Sequence, residues 1–412
     1  MSYDSPRLAI LADDLTGAAD SAARAVRAGL RACVVFAAAA WRVAPVDVVA
    51  LTTDSRHLSP TEAAARVAAA VGELGAAEVW YKKIDSTLRG NIGAELEALL
   101  AALPDPSMAA VVCPAFPAQG RGLADGYLVH GGAAPHTPHL PRLLAGQTSL
   151  PVAALGLATV RSGAVKLATA LNRARRGGAR LLVVDAVSGE DLALVVAAAQ
   201  SAGMLLCGSA GMVGPLAERL AHGVERQARA SMVVSPGPIL FVVGSGSAMA
   251  HRQIVQLTVS GYVRRRQVAA SWIGVDLAGA QSRPVGDWLL HLAPLADGTT
   301  LEGAAARAFA ANLADLTQTV TARLQPAALV VVGGDTAHFV LRGLGMRRLD
   351  VVEELLPGIP LALATGRDGV TRAVVLKPGS FGDERVLVTL LEQLHQRQPS
   401  LSAAAAVTMP DD

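Results

Sequence analysis

The segment Leu8–Asp20, LAILADDLTGAAD, limits what this chain can become more than any other stretch of it. A short apolar run stops at two adjacent carboxylates, Asp13 and Asp14, and Thr16 and Gly17 follow. An amphipathic pattern then begins and is broken at Gly29. Apolar run, polar loop and helical pattern in that order predict strand, loop and helix. In an open α/β sheet, ligands bind just past the carboxyl ends of the strands. Asp13, Asp14 and Thr16 therefore stand where chemistry is usually placed. A lone Asp or Thr at such a spot can equally be a helix N-cap. Recurrence of the same layout down the chain favours the functional reading.

In the first half, apolar runs at Leu8–Leu11, Ala32–Phe36, Val46–Thr52, Glu78–Lys82, Ala109–Cys113, Leu181–Val184 and Met204–Cys207 alternate with helical patterns. One helix has a clean start, with Ser59 as N-cap, Pro60 at the first position and Glu62 completing a capping box. Strand alternating with helix predicts a mainly parallel sheet with right-handed crossovers. A second α/β unit is expected beyond SMVVSPGP (231–238), with strands Ile239–Val243, Leu329–Val332, Leu361–Thr365 and Ala373–Lys377. The region Gly261–Thr300 gives no clear pattern. The expected architecture is two α/β domains with mainly parallel sheets facing a central cleft. Their bounds are residues 1–230 and 238–396, joined by a linker at 231–237 and followed by a tail at 397–412.

Composition removes several classes of function. A net charge of +2 and an aromatic content of 3% offer neither a basic surface nor stacking platforms for nucleic acid. Cys33, Cys113 and Cys207 are far apart and lie in or beside apolar runs. They make no metal spacing and no disulfide framework, and predict buried, reduced thiols in a cytoplasmic protein. No basic region followed by an apolar stretch opens the chain, and the longest apolar runs, such as Ala32–Trp41, are too short to span a bilayer.

Each strand of the first half empties into polar groups. Thr53-Asp54-Ser55-Arg56-His57 follows the third run, KKIDSTLRGN (82–91) the fourth, and Pro114–Arg121 the fifth. A parallel sheet brings these exits to one edge, so Asp13, Asp14, Arg56, Lys82 or Lys83, Asp85, Arg89 and Arg121 can converge. Arginines and lysines there suit a carboxylate or phosphate. The carboxylates suit sugar hydroxyls, a metal or a proton. In KKIDSTLRGN, Asp85, Ser86 and Thr87 are candidate N-cap acceptors for a helix carrying Glu95 and Glu97. The structural alternative is an Asp85–Arg89 ion pair that only orders the loop.

The second half carries three glycine turns, each between an apolar strand and a helix: Gly244–Ser247, Gly333–Thr336 and Lys377–Asp383. Glycines admit close approach of backbone amides to phosphate, and a helix N-terminus adds unpaired N–H groups. Three such turns suggest a polyphosphate or nucleotide site. The first is not a full dinucleotide fingerprint, because Met249 stands where the third glycine belongs, and no Walker motif occurs.

In order along the chain, ADDLTGAAD, TDSR, KKIDSTLRGN, CPAFPAQGR, GSGS, GGDT and KPGSFGD resemble the motifs of the four-carbon acid sugar kinase family. The resemblance implies an ATP-dependent kinase acting on the terminal hydroxyl of D-threonate, D-erythronate or an oxo-tetronate. It implies a sugar-acid domain before an ATP domain. Carried over by motif, the substrate set is Asp13 or Asp14, Arg56, Lys82, Lys83, Ile84, Asp85, Ser86 and Arg89. The ATP set is Ser245 or Ser247, Gly333, Gly334, Asp335, Thr336 and Gly379. Asp14 or Asp13 is the expected base, and Arg56, Lys83 and Arg89 are expected to hold the carboxylate or the transferring phosphoryl group. Mg²⁺ is expected to arrive with ATP rather than in a protein cage. Pro378 and Gly246 depart from the usual motif without disturbing its glycines. A nicotinamide-dependent dehydrogenase using Gly244–Ser247 and a non-catalytic sugar-acid sensor are the competing readings. Neither nucleic acid nor membrane is expected as a partner, and a homodimer is compatible with the sequence.

Overall fold

The structure, a computed structural model, describes residues 5–131, 138–223, 232–268, 286–292 and 303–399. The chain divides into two compact units, Met1–Gln227 and Ala228–Asp412. The expected boundary at residue 230, the first linker residue and the tail beyond Pro399 lie outside the described residues, as does most of 261–300.

The first unit is built on strands β1 (Leu8–Ala12), β2 (Ala32–Val35), β3 (Val48–Thr52), β4 (Val79–Lys83) and β5 (Ala110–Cys113). A short hairpin, β6 (Arg121–Ala124) and β7 (Tyr127–His130), precedes β8 (Val152–Leu155), β9 (Leu181–Val184) and β10 (Leu205–Gly208). The sheet order is β2-β3-β1-β4-β10-β5-β9-β8, and every pairing in it is parallel. Most of these strands are buried along their whole length. That is why they read as unbroken apolar runs: a parallel sheet is covered by helices on both faces.

Helix α1 (Leu15–Arg27) packs nearly all of itself away, because Ala18, Ala19, Ala22, Ala23 and Ala25 let it lie close to the sheet. Helix α2 (Pro60–Leu74) starts on the expected capping box, with the Ser59 hydroxyl accepting from the Glu62 amide and the Glu62 carboxylate accepting from the Ser59 amide. Helix α3 (Ile92–Ala102) follows β4. The register pairs Ala12 with Thr52 on one side and Lys83 on the other. Three strands thus end level, and their loops leave side by side. From β1 the chain winds toward one edge of the sheet and from β4 toward the other, which makes the β1–β4 crevice a natural ligand position.

The β6–β7 hairpin and β8 are absent from the sequence expectation. The hairpin turns on Asp125 (φ 49°) and Gly126 (φ 74°), and the Asp185 carboxylate accepts from both of their amides at 2.7 and 3.1 Å. An Asp-Gly pair between apolar residues is a strong hairpin signal, so the signal was present in the sequence.

The second unit holds β11 (Ile239–Val243), β12 (Val263–Val268), β13 (Asp287–Leu292), β14 (Ala328–Val332), β15 (Arg348–Leu356), β16 (Ile359–Thr365) and β17 (Thr371–Lys377). Their order is β12-β13-β11-β14-β17-β16-β15. Pairings from β12 to β17 are parallel, but β16 runs antiparallel to both β17 and β15. The sheet is therefore mixed rather than parallel throughout. β15 carries Asp350, Glu353 and Glu354 along a half-exposed strand, which hid it from apolar-run reasoning. The register aligns Val243 with Val332, and Val332 with Lys377. The residues that follow are Gly244, Gly333 and Pro378.

Candidate functional site

Asp14 makes the cap contact weighed from sequence and more besides. It is the N-cap of α1 in extended conformation, and its Oδ1 accepts from the Gly17 amide at 3.0 Å. The same carboxylate takes the Thr16 hydroxyl at 2.5 Å and Arg56 Nη2 at 2.7 Å. Arg56 also forks onto Asp13, with Nε to Oδ2 at 2.7 Å and Nη2 to Oδ1 at 3.0 Å. Its Nη2 reaches Asp85 Oδ1 at 4.0 Å. One guanidinium therefore joins the exits of β1, β3 and β4. Burial alone would raise the Asp14 carboxyl, but Arg56, Lys83 and the Thr16 hydroxyl outweigh it and hold the group below its ordinary value. Arg56 is held well above its own ordinary value by Asp14 and Asp13, against the effect of burial.

After β4, Asp85 accepts from Arg89 Nε at 2.6 Å, Nη2 at 3.2 Å and the Arg89 amide at 3.3 Å, and from the Thr87 hydroxyl. Burial works against ionisation here too, yet Arg89 and Arg56 keep Asp85 strongly depressed. The expected capping role of Asp85, Ser86 or Thr87 fails, because helix α3 starts only at Ile92 with Asn91 before it. The Ser86 hydroxyl instead receives Arg121 Nη1 at 2.7 Å, which brings the hairpin's first residue to the same edge. Ile84 contributes only backbone: its side chain is in the core, and its carbonyl accepts Lys83 Nζ at 2.8 Å.

Lys82 parts from Lys83 because neighbouring side chains on a strand face opposite ways. It is fully buried and pairs with Glu95 of α3 at 2.6 Å. Glu95 Oε1 accepts the Ser55 hydroxyl at 2.5 Å, and Ser55 meets the Thr53 hydroxyl at 2.7 Å. The Ser55 amide donates to the Asp13 carbonyl at 3.0 Å. Lys82, expected in the substrate set, thus belongs to a buried chain beneath the β3 loop. This chain was not foreseen from sequence. A Glu at a helix position facing a Lys of the preceding strand was its only trace.

In the second unit the three glycine turns come into contact. A Cβ at Gly244 would lie 2.1 Å from Thr336 Oγ1, and one at Gly379 would lie 2.3 Å from Ser245 Oγ. Ser247 caps the helix Ala248–Val259 through the Ala250 amide at 3.2 Å and donates to the Gly379 carbonyl at 3.3 Å. Gly334 opens the helix Gly334–Gly343, which has no side-chain cap. Asp335 pairs with Arg307 at 2.7 Å. The turns leave the Gly379 and Ser380 amides without an acceptor among the described residues. Clustered N–H donors and a helix N-terminus at one sheet edge are the kind of groups that suit an anion. Among the described residues no group of three or more His, Cys, Asp or Glu could hold a metal ion, and no helix is long and apolar enough to cross a membrane.

Residues 8–216 match the model of a sugar-binding N-terminal domain, and residues 240–387 match that of a nucleotide-binding C-terminal domain. The chain is 33% identical to a D-threonate kinase of Bordetella bronchiseptica, over 95% of this chain and 98% of that one. It is 30% identical to a 3-oxo-tetronate kinase of Pseudomonas fluorescens, over 96% and 98%. A solved Haemophilus influenzae protein shares the fold at a TM-score of 0.67 and 22% identity, over 94% of this chain and 100% of that one. The chain belongs to the four-carbon acid sugar kinase family, and it is a kinase of four-carbon acid sugars with a nucleotide-binding domain. The dehydrogenase and sensor readings are set aside accordingly.

Glu95→Ala would leave the Lys82 ammonium buried without its partner, which costs about 3–5 kcal/mol. A urea melt should show a lower midpoint at an unchanged slope. The double variant Lys82→Met/Glu95→Leu should recover most of that loss.

Proposed function

We propose that this family member transfers the γ-phosphoryl group of ATP to the terminal hydroxyl of a four-carbon sugar acid. D-threonate is the first choice, with D-erythronate and 3-oxo-tetronate behind it. The observation that carries the reading is the contact of the three glycine turns, set level by the Val243–Val332–Lys377 register. Ser245, Ser247, Gly333, Gly334, Asp335, Thr336 and Gly379 form the ATP set, and Mg²⁺ accompanies the nucleotide. The first preference for D-threonate rests on the names of relatives such as the Bordetella bronchiseptica enzyme.

Phosphoryl transfer through a loose transition state asks mainly for positioning and charge neutralisation. Asp14 is our candidate for orienting the hydroxyl and taking its proton. Asp13 is the alternative, but Arg56 forks onto both of its oxygens, whereas on Asp14 it takes only Oδ1 and the Oδ2 partner is the Thr16 hydroxyl. The depressed proton affinity of Asp14 keeps it ionised at neutral pH, ready to accept a hydrogen bond. Arg56, Lys83, Ile84, Asp85, Ser86 and Arg89 frame the sugar acid. Arg56 and Arg89 are already matched by carboxylates. Among the described residues the Arg121 guanidinium donates only to the Ser86 hydroxyl and forms no ion pair. Its remaining N–H groups suit the substrate carboxylate, which a guanidinium can take bidentately.

A coupled ADP-release assay with Mg·ATP against the stereoisomeric threonates, erythronates and oxo-tetronates should give strong turnover on one of them. ATP binding without turnover on any would move the substrate to a different acid. Absence of ATP binding would overturn the reading of the glycine turns. Asp14→Asn should lower kcat by about 10²–10⁴-fold with ATP binding nearly intact. Near-normal turnover in both Asp14→Asn and Asp13→Asn would remove the base assignment. Arg121→Gln should raise KM for the sugar acid roughly 10- to 100-fold and leave KM for ATP unmoved.

A further inference from the structure

Lys377 ends β17 directly beneath the third glycine turn, and its side chain is fully buried. Buried lysines are almost always paired with a carboxylate. This one is not: its ammonium donates to the Pro378 carbonyl at 2.9 Å and the Gly379 carbonyl at 3.1 Å, and among the described residues it forms no ion pair. In a trans peptide the C=O and the following N–H point in opposite directions. Pulling those two carbonyls down onto Lys377 therefore turns the Gly379 and Ser380 amides away from it, and neither has an acceptor among the described residues. The rest of the turn is tied down in the same sense. Gln253 donates to the Phe381 carbonyl at 3.0 Å and the Asp383 carbonyl at 2.8 Å, and Ser247 donates to the Gly379 carbonyl.

We propose that Lys377 is a positioning residue of the nucleotide site, holding the 378–380 peptides so that their amides face the phosphates, and that the bound polyphosphate supplies the negative charge this buried ammonium lacks. The inference rests on the glycine turns being the nucleotide site. The titratable groups on Lys377's own strand and the surrounding elements are Arg372, Asp335, His338 and Arg342, His251 and Arg252, Asp383, Glu384 and Arg385, and Glu392 and His395 of the last helix. β14 and β16 carry none. None of these groups sets the proton affinity of Lys377, which burial alone lowers to about 7. Near pH 8 the free protein therefore holds Lys377 mostly neutral. A polyphosphate placed over the turn favours the charged form, so the two must bind together: nucleotide and proton.

The test is calorimetry of ADP binding at pH 8.0 in two buffers of different ionisation enthalpy. ADP is fully ionised there, so any proton taken up enters the protein. Wild type should take up most of one proton, and its ADP affinity should fall as pH rises above about 7. Lys377→Met should bind ADP at least tenfold more weakly with no proton uptake, a raised KM for ATP and an unchanged KM for the sugar acid. Lys377→Arg, charged at every pH, should retain affinity and lose the uptake. The wild-type measurement needs no variant to fold. ADP binding to wild type without proton uptake would overturn the role of Lys377 and leave the nucleotide site standing. No ADP binding to wild type would overturn the site reading and this inference together.

Discussion

A parallel β-ladder fixes where strands end as well as which strands are neighbours. Its hydrogen bonds run from one carboxyl end to the next, so every loop that leaves the sheet on that side starts from a common level. In the first unit, Ala12, Thr52 and Lys83 stand in one row, and in the second Val243, Val332 and Lys377 do. Residues separated by more than a hundred positions become neighbours without a dedicated contact to bring them together. Everything polar in either site hangs from these rows.

The two rows solve opposite electrostatic problems. At the first, carboxylates outnumber what burial tolerates, and Arg56 is placed to touch two of them and approach a third. An unpaired buried charge costs far more than a paired one, so this guanidinium is a condition for the loops of β1, β3 and β4 lying together at all. The Lys82–Glu95–Ser55 chain underneath repeats the arrangement at a deeper level and fixes the backbone from which Arg56 projects. At the second row the protein contributes mainly dipoles. Backbone amides, hydroxyls and a single buried ammonium make a surface that is short of negative charge.

Strands buried on both faces were legible because their apolar runs leave no other reading, and β9 and β11 came out residue for residue. Besides the β6–β7 hairpin, β15 with its acidic stripe and β8, which is only half-buried, escaped because tertiary context decides them. Site residues followed the same division. Asp13, Asp14, Arg56 and the glycine turns were visible because a polar cluster after an apolar run has few purely structural explanations. Lys82 and Lys83 could not be told apart as a pair, since alternation says only that they face opposite ways. Which way is inward depends on Glu95, one helix later. The burial of Lys377 was invisible for a similar reason, because a lysine at a strand end usually reaches solvent.

The three cysteines carry a practical consequence. All are buried, and burial pushes the Cys113 and Cys207 thiols up to about 12. Thiolate is the reactive form, so those two are close to silent toward alkylating dyes at neutral pH, and Cys33 is shielded by the core. The chain therefore offers labelling chemistry a nearly blank background. One cysteine introduced on the surface of either unit would be the preferred attachment point for a fluorophore or spin label, with no need to strip out the native thiols first.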